Sequence, residues 1–298
     1  MTELKIGVVG IPGKWSTETL ADAVETRTGR RLVIDMGLVD LDLAKGRLMF
    51  GETDLCGLDG LIVKKISAAY NPSTLDRLEM LRVAEAAGVM VFSPVRSMLR
   101  LIDRLSCTVT LRNASIPMPD TRITEDVDAA VTIVAGFGSA VFKPLYSTKA
   151  RGMCVIDHAL GRDRVRERIA AFKSENPVMY IQRKVTLPGR DMGMVFLAGE
   201  YLGTYARVPQ DDSWNTTIES GGRYAAHEPP ADQIELARKA QSLFHMDFTT
   251  VDVAETDEGP IVFEVSAFGG FRGAKEGMGV DAASLYVEHV VKELEKRS

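Results

Sequence analysis

The chain has 298 residues, 45% of them apolar, and a formal net charge of −5. That length suits about two domains, and the negative balance supplies no global positive field for DNA or RNA. The four scattered histidines and the widely spaced Cys56, Cys107 and Cys154 give no sign of a zinc knot or a disulfide framework. With no signal-peptide h-region and no apolar run long enough for a bilayer, the expectation is a soluble cytoplasmic protein with no membrane attachment.

Residues 1–95 read as short strands alternating with helices. Apolar runs at 6–11, 32–36, 58–63 and 89–92 each end near turn residues. Residues 74–87 place Leu75, Leu78 and Leu81 near helical spacing, and Gly88 can end that helix. Such an alternation predicts an α/β domain with a mostly parallel sheet. The turn holding Gly7, Gly10, Gly13 and Lys14 is not a phosphate loop, since five residues separate Gly7 from Gly13 and Trp15 follows the lysine. It reads as a tight strand-to-helix turn with Ser16 or Thr17 as cap, still placed to line a substrate cleft.

From residue 96 the pattern changes. Met98, Leu99, Ile102, Leu105 and Val109 suit one helical face, closed by Pro117 and Pro119. Strands are predicted at 140–143, 153–156 and 178–182, and a strand-rich stretch runs from Gly189 to 208. A loop with Trp214, Asn215, Thr216 and Thr217 follows. Residues 231–244 read as a helix, 249–254 and 261–265 as a hairpin turning at 256–259, and the stretch from about 281 as a terminal helix carrying Val287, Val290, Val291 and Leu294.

Glu264 and Ser266 are two apart on a strand and leave the same face, and the hairpin brings Asp252 opposite Glu264. Two carboxylates and a hydroxyl suit hard Mg²⁺, although a solvated acidic hairpin has the same residues. Lys143 ends the apolar strand 140–142, where it can project into a cleft. The loop Ser147-Thr148-Lys149-Ala150-Arg151-Gly152 then offers hydroxyls, cations, backbone N–H groups and a hinge glycine to a polyphosphate. Gln182, Arg183 and Lys184 end a strand and can present backbone groups to an adenine edge. Asp191 can meet ribose hydroxyls or orient a cation, and Arg207 can face developing phosphoryl charge. Each of these, taken singly, also reads as a surface or ion-pair residue.

Taken together, Phe142-Lys143-Pro144, Ile181-Gln182, Gly189-Arg190-Asp191, Val251-Asp252-Val253 and Phe263-Glu264-Val265 resemble the ATP-grasp superfamily over residues 90–298. The similar branch is that of the glutamate ligases that modify a ribosomal protein or add glutamate to pterin and deazaflavin coenzymes. The segments 143–153 and 263–273 also resemble the ATP-grasp subgroup of the GAK gene system. The resemblance implies a mixed α/β (α+β) chain with a Rossmann-like pre-ATP-grasp domain at 1–95. A two-lobed ATP-grasp domain would follow, its small lobe at 96–185 and its large lobe, with the metal hairpin, at 186–298.

By position, the resemblance makes Arg104, Lys143, Ser147, Thr148, Lys149, Arg151, Gly152, Gln182, Arg183, Lys184, Asp191, Asn215 and Thr217 the ATP-binding set. Asp252, Glu264 and Ser266 would hold Mg²⁺, with Mn²⁺ able to substitute, and Lys143 and Arg207 would act on the transferred phosphoryl group. Trp214, Arg272 and Lys275 are the candidate substrate contacts. The implied reaction joins a small-molecule or peptide carboxylate to an amine or amino acid through an acyl phosphate, releasing ADP and phosphate, in a symmetric homo-oligomer. Three positions depart from the branch: Ser266 replaces Asn, Gly193 replaces an arginine, and Arg104 replaces a lysine. The first two leave open a non-catalytic ATP-binding regulatory module. A nicotinamide oxidoreductase on the N-terminal sheet is the third reading, weakened by the broken glycine pattern.

Overall fold

The computed structural model describes residues 4–148, 150–209 and 221–297. The N-terminal region contains β1 (Ile6–Val9), α1 (Trp15–Thr28), β2 (Val33–Ile34), β3 (Val39–Asp42), β4 (Arg47–Phe50), β5 (Thr53–Asp54), β6 (Gly60–Val63), α2 (Pro72–Ala86) and β7 (Met90–Phe92). Four of these strands form a parallel sheet in the order β2-β1-β6-β7. All four residues of β1 and of β6 are buried, as expected of strands covered on both faces. Helix α2 starts with Pro72 in its first turn, and the Thr74 hydroxyl accepts from the Asn71 N–H. Gly88, at φ +99°, takes the chain out of that helix.

Two expectations change here. Helix α1 begins at Trp15 after Lys14, with no side-chain cap. Thr17 lies inside its first turn, buried, and its hydroxyl instead accepts from the Ile11 N–H at 3.1 Å. Residues 39–54, where the apolar pattern predicts no element, form the small antiparallel sheet β3-β4-β5.

The single helical face expected over 98–109 is two helices, α3 (Val95–Ile102) and α4 (Arg104–Asn113). The break is at Asp103, which is extended and whose carboxylate accepts from the Leu105 N–H. An aspartate in that role starts a helix better than it continues one. The consequence is that Arg104 opens a new helix.

Next come β8 (Thr121–Thr124), α5 (Val127–Phe137), β9 (Ser139–Lys143), β10 (Cys154–Asp157), α6 (Arg162–Glu175) and β11 (Met179–Arg183). Their strands form an antiparallel sheet in the order β10-β9-β11-β8. Helices α5 and α6 cover one face of it, and Phe142, Ile156, Ile169, Phe172 and Ile181 form a core of its own. The last part holds β12 (Asp191–Leu197), β13 (Glu200–Val208), β14 (Arg223–Ala226), α7 (Ala231–Ser242), β15 (Phe248–Thr256), β16 (Gly259–Val265), α8 (Phe271–Met278) and α9 (Ala282–Glu295). Its antiparallel sheet runs β14-β13-β12-β15-β16.

Two larger cores join this sheet to the parallel one. In one, Val9, Leu61, Val91 and the buried faces of α2 and α3 continue into Met192, Val251 and Val265. In the other, Ile6, Val8, Ile62 and Leu20 meet Phe248, Phe271 and the α9 residues Val287, Val290 and Leu294. At roughly 1.5–3 kcal/mol per fully buried Val, Leu or Phe, these shared cores hold the two sheets as one body. Helix α9 ends the chain against the strands that begin it. No described helix is long and apolar enough to cross a membrane. The three cysteines are unpaired thiols, Cys107 buried and the other two half-buried.

Candidate active site

The hairpin of β15 and β16 has the register the sequence predicts: Asp252 is paired with Glu264, and a bulge follows between Asp252 and Val253. Cross-strand partners leave one face of a sheet, so both carboxylates point the same way. Ser266 lies one residue past β16. Its N–H donates to the Thr250 carbonyl at 2.8 Å, and its own carbonyl accepts from the Thr249 hydroxyl.

Each carboxylate has its own arginine. Arg207 on β13 lies opposite Asp191 on β12, is hydrogen-bonded to it, and reaches Asp252 at 3.1 Å. Burial alone would depress the guanidinium, but Asp252 and Asp191 together raise its pKa well above the ordinary value. Burial pushes the Asp252 carboxyl up to about 7, Glu264 and Asp191 push the same way, and Arg207 opposes them. One Asp252 oxygen, Oδ1, is buried without a hydrogen-bond partner. Arg104, aimed by the break at Asp103, donates to Glu264 at 3.0 Å, to the Pro144 carbonyl at 3.1 Å and to the Ser147 hydroxyl at 3.5 Å. One side chain thus ties the hairpin to both ends of the turn leaving β9.

Lys143 ends β9 and donates to Gln182 Oε1 at 2.6 Å, its ammonium 5.3 Å from the Phe263 ring centroid. Burial, helped by Arg104, lowers its pKa to about 7 against the pull of Glu264 and Asp252. The small sheet and the hairpin therefore face each other across Lys143. Gln182 is buried, and its amide nitrogen donates to the Thr121 and Tyr180 hydroxyls. Its side chain orients Lys143 and is not free for a base. The Arg183 and Lys184 N–H groups are also in use, donating to the Asp120 and Ser139 carbonyls. Arg183 pairs outward with Asp120 and Glu258 at the hairpin tip.

In the loop after β9, Arg151 donates to the Thr148 hydroxyl and carbonyl and to the Ala68 carbonyl, 83 residues earlier. Gly152 has φ +71°, and a Cβ there would sit 3.0 Å from Pro144. Arg272 and Lys275 are exposed on α8, their charges 5.3 and 5.7 Å from the Trp15 ring. The structure brings these two together with Trp15, and Arg272 also pairs with Glu276. Lys149, Trp214, Asn215 and Thr217 lie outside the described residues.

Two further buried residues were missed. Tyr205 on β13 is buried beside Arg207 and Asp252, and burial raises its phenol pKa. Lys64, straight after β6, is 6% exposed. Its signal was present: a lysine ending an apolar strand, the pattern that singled out Lys143.

A family model described as a RimK-like ATP-grasp domain matches residues 102–290. The tetrahydromethanopterin:alpha-L-glutamate ligase of Methanosarcina acetivorans is 24% identical over 318 residues, covering 96% of this chain and 98% of that protein. A probable alpha-L-glutamate ligase of Aliivibrio salmonicida is 24% identical over 298 residues, covering 97% and 96%. Among solved structures, the ATP-grasp ligase PsnB complexed with a precursor variant, Mg and ADP superposes with a TM-score of 0.76 at 19% identity, covering 98% of this chain and 99% of that one. D-alanyl-alanine synthetase A of Vibrio cholerae gives 0.72 at 16% identity, covering 99% of each chain. With the matched segment spanning both the Lys143 strand and the Asp252–Glu264 hairpin, the chain belongs to the RimK-like ATP-grasp family.

Proposed function

We propose that this ATP-grasp ligase uses Mg·ATP to activate a carboxylate as an acyl phosphate and transfers it to the amine of an amino acid, glutamate first among candidates. The observation that carries the reading is the Asp252–Glu264 pair, flanked by Arg207, Arg104 and Lys143. Glutamate is favoured because the relatives above bear that name.

The donor set fits a magnesium ion. Asp252 Oδ1 is buried and unpartnered, Glu264 is on the same face, and both are hard oxygen donors. Among the described residues no three His, Cys, Asp or Glu side chains could hold an ion, so water and phosphate oxygens would complete its shell. What the bound ion supplies is neutralisation of charge on the transferring phosphoryl group.

The chain's own groups do the rest. Lys143 meets the phosphates from the small sheet, and the loop at 147–152 covers them and keeps water from the acyl phosphate. Arg207 holds Asp252 and Asp191 in place and lends positive charge where the phosphoryl group transfers. Arg104 fixes Glu264 against the base of the loop. The strand end at 182–184 receives the adenine through its carbonyls, since two of its N–H groups are already engaged.

Thermal unfolding with and without Mg·ATP, for wild type and Glu264→Ala, tests the reading. Ligand at about a hundred times its Kd stabilises by about 2.7 kcal/mol. The expected result is a metal-dependent rise of several degrees, absent in the variant, followed by ADP release on adding glutamate with a suitable carboxylate. No rise with nucleotide would refute the site. A rise with no ADP release from any carboxylate and amine pair would favour the regulatory module.

A further inference from the structure

Lys64 presents a problem that the ATP site does not solve. Its ammonium donates to the Gly269 carbonyl and lies 4.0 Å from the Phe271 ring centroid. No carboxylate stands within ion-pair distance among the described residues, and the neighbouring Lys65 acts on it with a charge of the same sign. A buried ammonium without a counter-ion is expensive, and one carbonyl and one ring face replace only part of its lost hydration. An ammonium has three donors, and one is used here. A methionine would fill the same space at no such cost.

The position is informative. Lys64 follows β6, one of the two middle strands of the parallel sheet, at the carboxyl edge where ligands of such sheets bind. The loop it begins runs on to Ala68, which accepts from Arg151, and to Tyr70, whose phenol senses the Glu264 charge. The loop that Lys64 begins therefore reaches residues that flank the hairpin, while its ammonium touches the turn that follows β16. The turn it touches is fixed. Gly270 N–H donates to the Thr250 hydroxyl at 3.1 Å, and a Cβ on Gly269 would sit 2.6 Å from Phe248.

We propose that Lys64 anchors a non-reacting carboxylate of the substrate, bound where the carboxyl end of β6 meets the turn into α8. This rests on the ligase reading and deepens it. The reacting carboxylate must meet the phosphoryl group beside Asp252 and Glu264, so the group held by Lys64 is a second one. It belongs either to an acidic amino acid serving as amine donor or to a dicarboxylate acceptor, and the chemistry recognised is the same.

Calorimetric titration of the full chain saturated with Mg and the non-hydrolysable analogue AMPPNP tests this, with L-glutamate, glutarate and glutaramide as probes. The wild type should bind glutamate or glutarate and not glutaramide. Lys64→Met should weaken carboxylate binding at least tenfold while AMPPNP affinity stays within twofold, and Lys64→Arg should retain most of it. Lys64→Gln keeps a donor for Gly269 and removes the charge, so it serves if the methionine variant does not fold. Binding of glutamate alone assigns the amine donor, and binding of glutarate as well assigns the acceptor. Unchanged carboxylate affinity in folded Lys64→Met or Lys64→Gln, or a wild type that does not distinguish carboxylates from glutaramide, overturns the proposal. Failure of the wild type to bind AMPPNP would instead overturn the ligase reading.

Discussion

Gly193 stands directly across β12 and β13 from Tyr205, and a Cβ on it would come within 2.3 Å of the tyrosine ring. The same ring occupies the space a Cβ would need at Gly273 of α8, at 2.4 Å, and the Tyr205 Cβ lies 2.5 Å from where one would sit at Gly277. The missing arginine at 193 is therefore not a gap. A buried aromatic fills the place, and Arg207, two residues along the same strand, supplies the positive charge beside Asp252.

Gly193→Ala should accordingly destabilise the fold by overpacking, by about 1–3 kcal/mol. For a chain of this size that is on the order of 2–4 °C per kcal/mol in Tm. Pairing it with Tyr205→Leu should recover part of the loss, because the clash is with the ring. Thermal unfolding of both variants settles the point, and an unchanged Tm for Gly193→Ala would contradict the packing argument.

Asp252→Asn should abolish ATP-dependent turnover, by at least about a hundredfold, as expected for a lost electrostatic contact at the reacting group. The fold should survive, because the substitution removes a buried carboxylate whose pKa is already raised by burial. ADP release and circular dichroism on the same sample check both halves.

Arg104→Lys should raise KM for ATP and lower kcat. A lysine cannot bridge Glu264, Pro144 and Ser147 at once, since it lacks the planar fork. A charged hydrogen bond contributes about 1.5–3 kcal/mol, so a loss of one in the reacting complex means about ten- to a hundredfold in kcat/KM. Wild-type kinetics in the variant would mean that Arg104 does not organise the site.

Lys64 should make stability depend on pH above neutrality. Burial lowers its folded pKa to about 7 from the ordinary 10.5. Between those values the unfolded chain binds the extra proton, so stability rises with pH across that window. The cost of burying the charge is present in full below about 7 and is relieved towards 10.5. Lys64→Met should remove this contribution to the slope and leave the ligand-free protein at pH 6–7 as stable or more so, by up to about 1–4 kcal/mol. Denaturant unfolding at pH 6, 8 and 9 measures it, and a variant less stable than wild type at pH 6 would give Lys64 a structural role.

Much of this could be read along the chain. Apolar runs ended by turn residues gave the strands of the parallel sheet, and the 256–259 turn with two-residue periodicity put Asp252 opposite Glu264. These are local matters, decided by neighbours within one hairpin or one helical turn. The split at Asp103 was also local but was hidden, because the apolar spacing continues through it while a single carboxylate caps the next helix.

Sequence alone therefore determined the strands of the parallel sheet, the facing carboxylates and the ATP-grasp character of the chain. Tertiary structure alone decided which charges meet. Arg104 reaches Glu264 across 160 residues and Lys64 reaches Gly269 across 205, while Gln182 turns inward to hold Lys143. The reason is physical: periodicity reports which face of an element is buried, whereas the partner of a buried charge depends on which distant side chains the packed cores bring within a few ångströms.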